Sequence, residues 1–91
     1  MTLTFVNPER KVDERNRYIR FWASDGAKEV ACYLDIAALK VLNPHMTDVD
    51  SEFLEEFDKS LDRIHEVTRR VYSRSGKGAY VCTVTANNFL M

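Results

Sequence analysis

The sequence predicts an α+β fold: a small, mainly antiparallel sheet of about four strands in the order β-β-β-α-α-β, with a long amphipathic helix packed on one face. Three observations lead there. Two runs of alternating polar and apolar residues flank Asp25-Gly26, the sequence signature of a hairpin. Apolar residues between 53 and 71 then recur at three- and four-residue steps, the period of a helix. A final alternating run, residues 79–85, returns to the strand period after a Gly-containing turn.

Taken in order, "TLTFV" (residues 2–6) alternates and is rich in strand formers, so a short strand is expected there. "NPERKVDERN" (residues 7–16) is polar, charged and carries Pro8; it reads as a loop. "RYIRFWA" (residues 17–23) puts Ile19, Phe21 and Ala23 on one face and Tyr18, Arg20 and Trp22 on the other. After the turn, "KEVACYL" (residues 28–34) sets Val30, Cys32 and Leu34 against Ala31 and Tyr33. At Asp35 the period changes. Asp35 suits an N-cap, Ile36, Leu39 and Leu42 have helical spacing, and Asn43-Pro44 ends the helix. Thr47 and Asp50 resemble a capping box opening a long helix that runs to about Tyr72. Its stripe is Phe53, Phe57, Leu61, Ile64, Thr68 and Val71, widened by Leu54 and Val67. Acidic residues crowd its start and Arg69, Arg70 and Arg74 its end, which suits the helix dipole. Gly76 is expected as a left-handed cap, and "AYVCTVT" as the closing strand, with Tyr80, Cys82 and Val84 on its apolar side.

At 91 residues the chain is expected to form one compact domain, 1–91, without a large internal ligand cavity. Thirteen basic residues against fourteen acidic ones give a net charge of -1, which argues against a domain built to grip nucleic acid. The start "MTLTFVNPERK" lacks the pattern of a secretion signal, and no window has the apolar length of a membrane span. Cys32 and Cys82 fit neither a disulfide framework nor a zinc motif. A cytoplasmic protein without membrane contact or cofactor is expected.

Two longer segments carry a family likeness. "RYIRFWASDGAKEVACYLDIAAL", followed by "FLEEFDKSLDRIHEVTRRVYSRSGKGAYVCTVTANNF", resembles the small bacterial proteins called domain of unknown function fourteen-eighty-eight. The shared pattern is an Arg-Phe-Trp-like strand before an Asp-containing turn, a helix with Phe, Arg-Ile and Val, a closing Tyr, and a Gly-x-Tyr strand ending near a Phe. Asn88 stands where the pattern leads one to expect an acidic residue. The resemblance implies a compact α+β domain of the bacterial cytoplasm and supplies no catalytic residues.

The candidate sites divide by chemistry. "RRVYSRSGKGAY" has the residues of a phosphate loop but in the order helix, glycines, strand, so the loop meets the negative end of a helix. Lys59, Arg63, Arg70 and Arg74 fall in one sector of the long helix and form a candidate anion or nucleic-acid contact. Glu55–Lys59 and Glu66–Arg70 have ion-pair spacing, which favours a solvated face instead. His65 with Cys82 or Cys32 is a candidate nucleophile–base combination. Both thiols sit on apolar faces, so burial is expected rather than catalysis. His45 and His65 lack zinc spacing, and "TDVDSEFLEE" lacks a calcium-loop pattern. Tyr18, Arg20, Trp22 and Tyr33 share the outer face of the hairpin and are residue types that anchor interfaces. The sequence therefore reads as a non-enzymatic protein-interaction or binding module with a protein partner or a homodimer, using that face. Weak nucleic-acid binding through the helix stripe is the alternative.

Overall fold

The computed structural model describes residues 3–75 and 79–90. Strands β1 (Arg10–Asp13), β2 (Tyr18–Asp25), β3 (Lys28–Asp35) and β4 (Val81–Val84) form one sheet in that order. The first three are antiparallel neighbours and β4 lies parallel to β3. Parallel pairing needs a crossover. Helices α1 (Ile36–Leu42), α2 (Asp50–Lys59) and α3 (Leu61–Ser75) supply it, and a 3₁₀ turn, Ala86–Phe89, follows β4.

The hairpin forms as its residues predict. All eight residues of β2 pair with β3, from Tyr18↔Asp35 to Asp25↔Lys28. Gly26 supplies the positive φ, 63°, that a tight turn matching the strand twist requires. Asp35 caps α1 by accepting from the Ala37 N–H at 3.0 Å.

The first strand is displaced from its expected place. Of the expected strand at residues 2–6, the described residues 3–6 contribute a single bridge, Thr4↔Ser24, and the strand proper, β1, lies in the segment read as loop. Both stretches run along the same edge of β2. From Thr4 to Arg10 the chain advances six residues while its partner moves only three, Ser24 to Phe21. The excess loops out around Asn7-Pro8, where Asn7 Oδ1 accepts from the Glu9 N–H at 3.0 Å. Charge hid β1: Lys11 points to solvent and Arg10 is held by Asp58, so only Val12 shows strand-like hydrophobicity.

The expected long helix is two helices, separated at Ser60 (φ −100°, ψ 15°). Ser60 keeps the break economical. Its N–H donates to the Glu56 carbonyl at 2.9 Å, its hydroxyl to the Glu56 carboxylate at 2.6 Å, and its carbonyl accepts from Ile64 at 2.9 Å. Because one residue leaves the helix, the apolar period survives the break and conceals it. The N-cap of α2 is Val49, not Thr47. Thr47 bonds the side chain of Glu52 instead of pairing with Asp50.

One core lies between the sheet and the helices. It joins Ile19, Phe21, Ala23, Val30, Cys32 and Leu34 of the hairpin, Cys82 and Val84 of β4, and Ile36, Leu39, Phe53, Phe57, Ile64 and Val67 of the helices. Thr68 is buried with them and satisfies its hydroxyl on the Ile64 carbonyl at 2.6 Å. Tyr80, expected on the apolar side of the last strand, precedes β4 in a bend and is 68% exposed. The expected Gly76 cap lies outside the described residues.

Candidate functional site

All helices bury their apolar residues against one face of the sheet, and the other face is left open. The register arranges that face in rows across the strands. Lys11, Arg20, Tyr33 and Thr83 lie level on all four strands. Trp22, Ala31 and Val81 form the row on one side, and Asp13, Tyr18 and Asp35 the row on the other. Thus the four residues expected as an interaction surface, Tyr18, Arg20, Trp22 and Tyr33, are brought together. Arg20 is exposed and the three aromatics are half-buried.

Their contacts stiffen the patch without covering it. The Arg20 guanidinium lies 5.4 Å from the Trp22 ring centre, a cation–π contact worth about 0.5–1 kcal/mol when exposed. Tyr18 and Tyr33 meet edge to face at 5.8 Å and 68°. Lys11 was not singled out from the sequence, because its segment reads as loop. It stands directly opposite Arg20, and such like-charge pairs are unfavourable across strands. Among the described residues neither cation forms an ion pair. Shallow grooves of ≈ 490 and ≈ 350 Å³ flank this pair, the first bounded by Tyr33 and Asp13, the second by Trp22 and Glu9.

The helical stripe has a different character. Lys59 ends α2, whereas Arg63, Arg70 and Arg74 lie on α3 beyond the Ser60 break. Lys59 pairs with Glu55 at 3.2 Å and Arg70 with Glu66 at 3.3 Å. Lys59 also shares a small hollow with Glu52, Glu55 and Glu56, an environment that repels phosphate. Arg63 and Arg74 are exposed.

The thiols are poor nucleophiles here. Cys32 and Cys82 face each other in register across β3 and β4, both buried and without a disulfide. Burial pushes the Cys32 thiol up to about 12, helped by Cys82, and the Cys82 thiol up to about 11. Both are protonated at neutral pH. His65 is engaged elsewhere: its ring stacks on Phe5 at 3.7 Å and 4°. Burial, then the charge of Arg69, holds its pKa below the ordinary histidine value, against an opposing pull from Asp62. Among the described residues no group of three or more His, Cys, Asp or Glu is placed to share a metal ion. The phosphate-loop reading meets helix α3 followed by strand β4, and residues 76–78 between them lie outside the described residues. Asn88, where an acidic residue was expected, accepts from the Thr85 N–H at 2.7 Å and hydroxyl at 3.0 Å to hold the 3₁₀ turn.

Comparison with known proteins agrees with this architecture. Among solved structures, a protein of unknown function from the DUF1488 family of Shewanella loihica PV-4 superposes with a TM-score of 0.74. It is 17% identical, with 88% of this chain and 90% of that chain covered, so the likeness is one of fold. No match is found among curated proteins. A family model described as protein of unknown function (DUF1488) matches residues 3–83, and the chain belongs to that family.

Proposed function

We propose that this protein is a non-enzymatic interaction module of the bacterial cytoplasm that binds a protein partner through the open face of its sheet. The observation that carries the reading is that Tyr18, Arg20, Trp22 and Tyr33 sit together on a sheet face that no helix covers. Trp, Tyr and Arg are the side chains that most often dominate interface energies, and here they are held in two pairs, Arg20 on Trp22 and Tyr18 on Tyr33. The rigid rings lose little conformational freedom on binding. Protonated, buried thiols and the lack, among the described residues, of any helix long and apolar enough to cross a membrane fit a reducing aqueous compartment.

The test is capture by the tagged protein from a bacterial lysate, with and without nuclease, for the unaltered chain and for Trp22→Ala. The reading expects a nuclease-resistant protein partner that Trp22→Ala weakens while the unfolding curve stays close to that of the unaltered chain. Nuclease-sensitive ultraviolet absorbance, lost on joint charge reversal of Arg63 and Arg70, would instead place binding on the helix stripe.

A further inference from the structure

The geometry points to a second copy of this chain as the occupant of the open sheet face, related by a two-fold axis that runs along the strands between β2 and β3. This rests on the reading of that face as an interaction surface and adds its partner and its register. Facing sheets pack about 10 Å apart with their strands aligned to within about 30°. A two-fold axis lying between them therefore runs either along the strands or across them.

Charge distinguishes the two. On the open face, the paired rows of β1 and β2 carry Lys11, Arg20 and Asp13, with Glu9, Glu14 and Asp50 at the rim of the flanking grooves. The β3–β4 half carries Glu29 and Asp35 and no cation. An axis across the strands keeps β2 over β2, so it brings Arg20 towards the partner's Arg20, cation towards cation. An axis along the strands reverses the strand order and lays Lys11 and Arg20 over the half that holds Glu29 and Asp35.

Shape favours the same axis. Residues level with one another within a chain become opposed between chains when the order reverses. Because Arg20 is level with Tyr33 and Trp22 with Ala31, Arg20 then stands over the partner's Tyr33, and Trp22 over the partner's Ala31. The first is a cation over an aromatic face. The second seats the largest side chain of the face in the hollow above its smallest. Both contacts occur twice. The cations that oppose each other unfavourably in one chain gain aromatic and acidic neighbours from the other.

Four strands at about 4.8 Å spacing give a face that buries on the order of 1,000 Å² in total, the low end for a specific interface. The dimer is accordingly expected to be concentration-dependent. The experiment is sedimentation equilibrium of the full chain from micromolar to millimolar, with thermal melting of each variant as a folding control. The unaltered chain should pass from monomer to dimer. Trp22→Glu and Tyr33→Lys should each weaken association by about tenfold or more. Arg20→Glu alone should also remain monomeric. Mixed with Tyr33→Lys it should form a heterodimer, because one contact becomes a carboxylate over an ammonium while the symmetry-related contact stays native. This mixing rescue requires Arg20 and Tyr33 to meet between chains. A monomer at every concentration, a dimer indifferent to Trp22→Glu and Tyr33→Lys, or a mixture that stays monomeric overturns the proposal. If the chain is monomeric yet loses a captured protein or nucleic acid on Trp22→Ala, the homodimer falls and the interaction face stands. If neither association nor capture depends on Trp22, both fall.

Discussion

Phe21 and Trp22 are adjacent aromatics on the same strand, and they do opposite work. Phe21 is 3% exposed and packs edge to face on Phe57 of α2 at 5.3 Å. Trp22 points the other way, half-buried, with Arg20 over its ring and no helix packed on it. The two faces of the sheet differ in what a helix meets there. On the Phe21 side it meets Ile19, Ala23, Val30, Cys32 and Leu34 and gains apolar burial. On the Trp22 side it would have to desolvate Lys11, Arg20 and Glu29. The helices therefore collect on one face, and the other carries no helix.

The sharpest way to break this contrast is to truncate both neighbours. Phe21→Ala is expected to cost about 3–5 kcal/mol, as large-to-small core changes do. For a chain of 91 residues that is a large fraction of a total stability of about 5–10 kcal/mol. Trp22→Ala is expected to cost about 1 kcal/mol or less. Urea unfolding of both variants measures the difference, and equal losses would mean that the two faces are equally buried.

The hairpin turn serves both faces at once, so its loss should be intermediate. A Cβ at Gly26 meets nothing within 4 Å, which leaves the backbone at φ +63° as the whole cost of Gly26→Ala. That cost is about 1–2 kcal/mol. A clearly smaller loss would mean that the turn relaxes to another type without disturbing the register. Asp35 sharpens the comparison differently, since it lies in a row of the open face yet caps a helix of the covered one. Asp35→Ala should cost about 1 kcal/mol and Asp35→Asn much less, in the same unfolding assay. Equal losses would assign the effect to charge rather than to the cap.

What the sequence revealed follows from how strongly each element is patterned. The β2–β3 hairpin and the sidedness of Tyr18, Arg20, Trp22 and Tyr33 were legible because alternation and Asp25-Gly26 act locally. β1 was not, because a polar edge strand with one apolar residue, Val12, is specified by the β2 edge it joins and not by its own composition. Lys11 was missed with it. The break at Ser60 was hidden because one non-helical residue leaves the three- and four-step apolar period intact. Openness of the sheet face depends on where three helices pack, which no single segment encodes.

The smallest expected effect lies where the covered face meets the edge. Phe5 is stacked on His65 at 3.7 Å on one contact and lies 5.0 Å from the Arg69 guanidinium on another, while Arg69 Nε donates to the Leu3 carbonyl at 3.1 Å. Folding holds the His65 pKa below its ordinary 6.5, through burial first and Arg69 second. In the window between the two values the unfolded chain binds the extra proton. Stability from the neutral ring is therefore present above about pH 6.5 and lost as pH falls through the lower folded value. Asp58 acts separately. Its pKa is lowered from 3.8 chiefly by the hydrogen bond from Arg10, so its contribution is kept above that value and lost as pH falls through the lower folded one. Unfolding measured from pH 7 down to pH 5 should thus show a gentle decline that His65→Phe flattens and Trp22→Ala leaves unchanged. If His65→Phe kept the full slope, the decline would belong to another group and the edge would be no weaker than the core it borders.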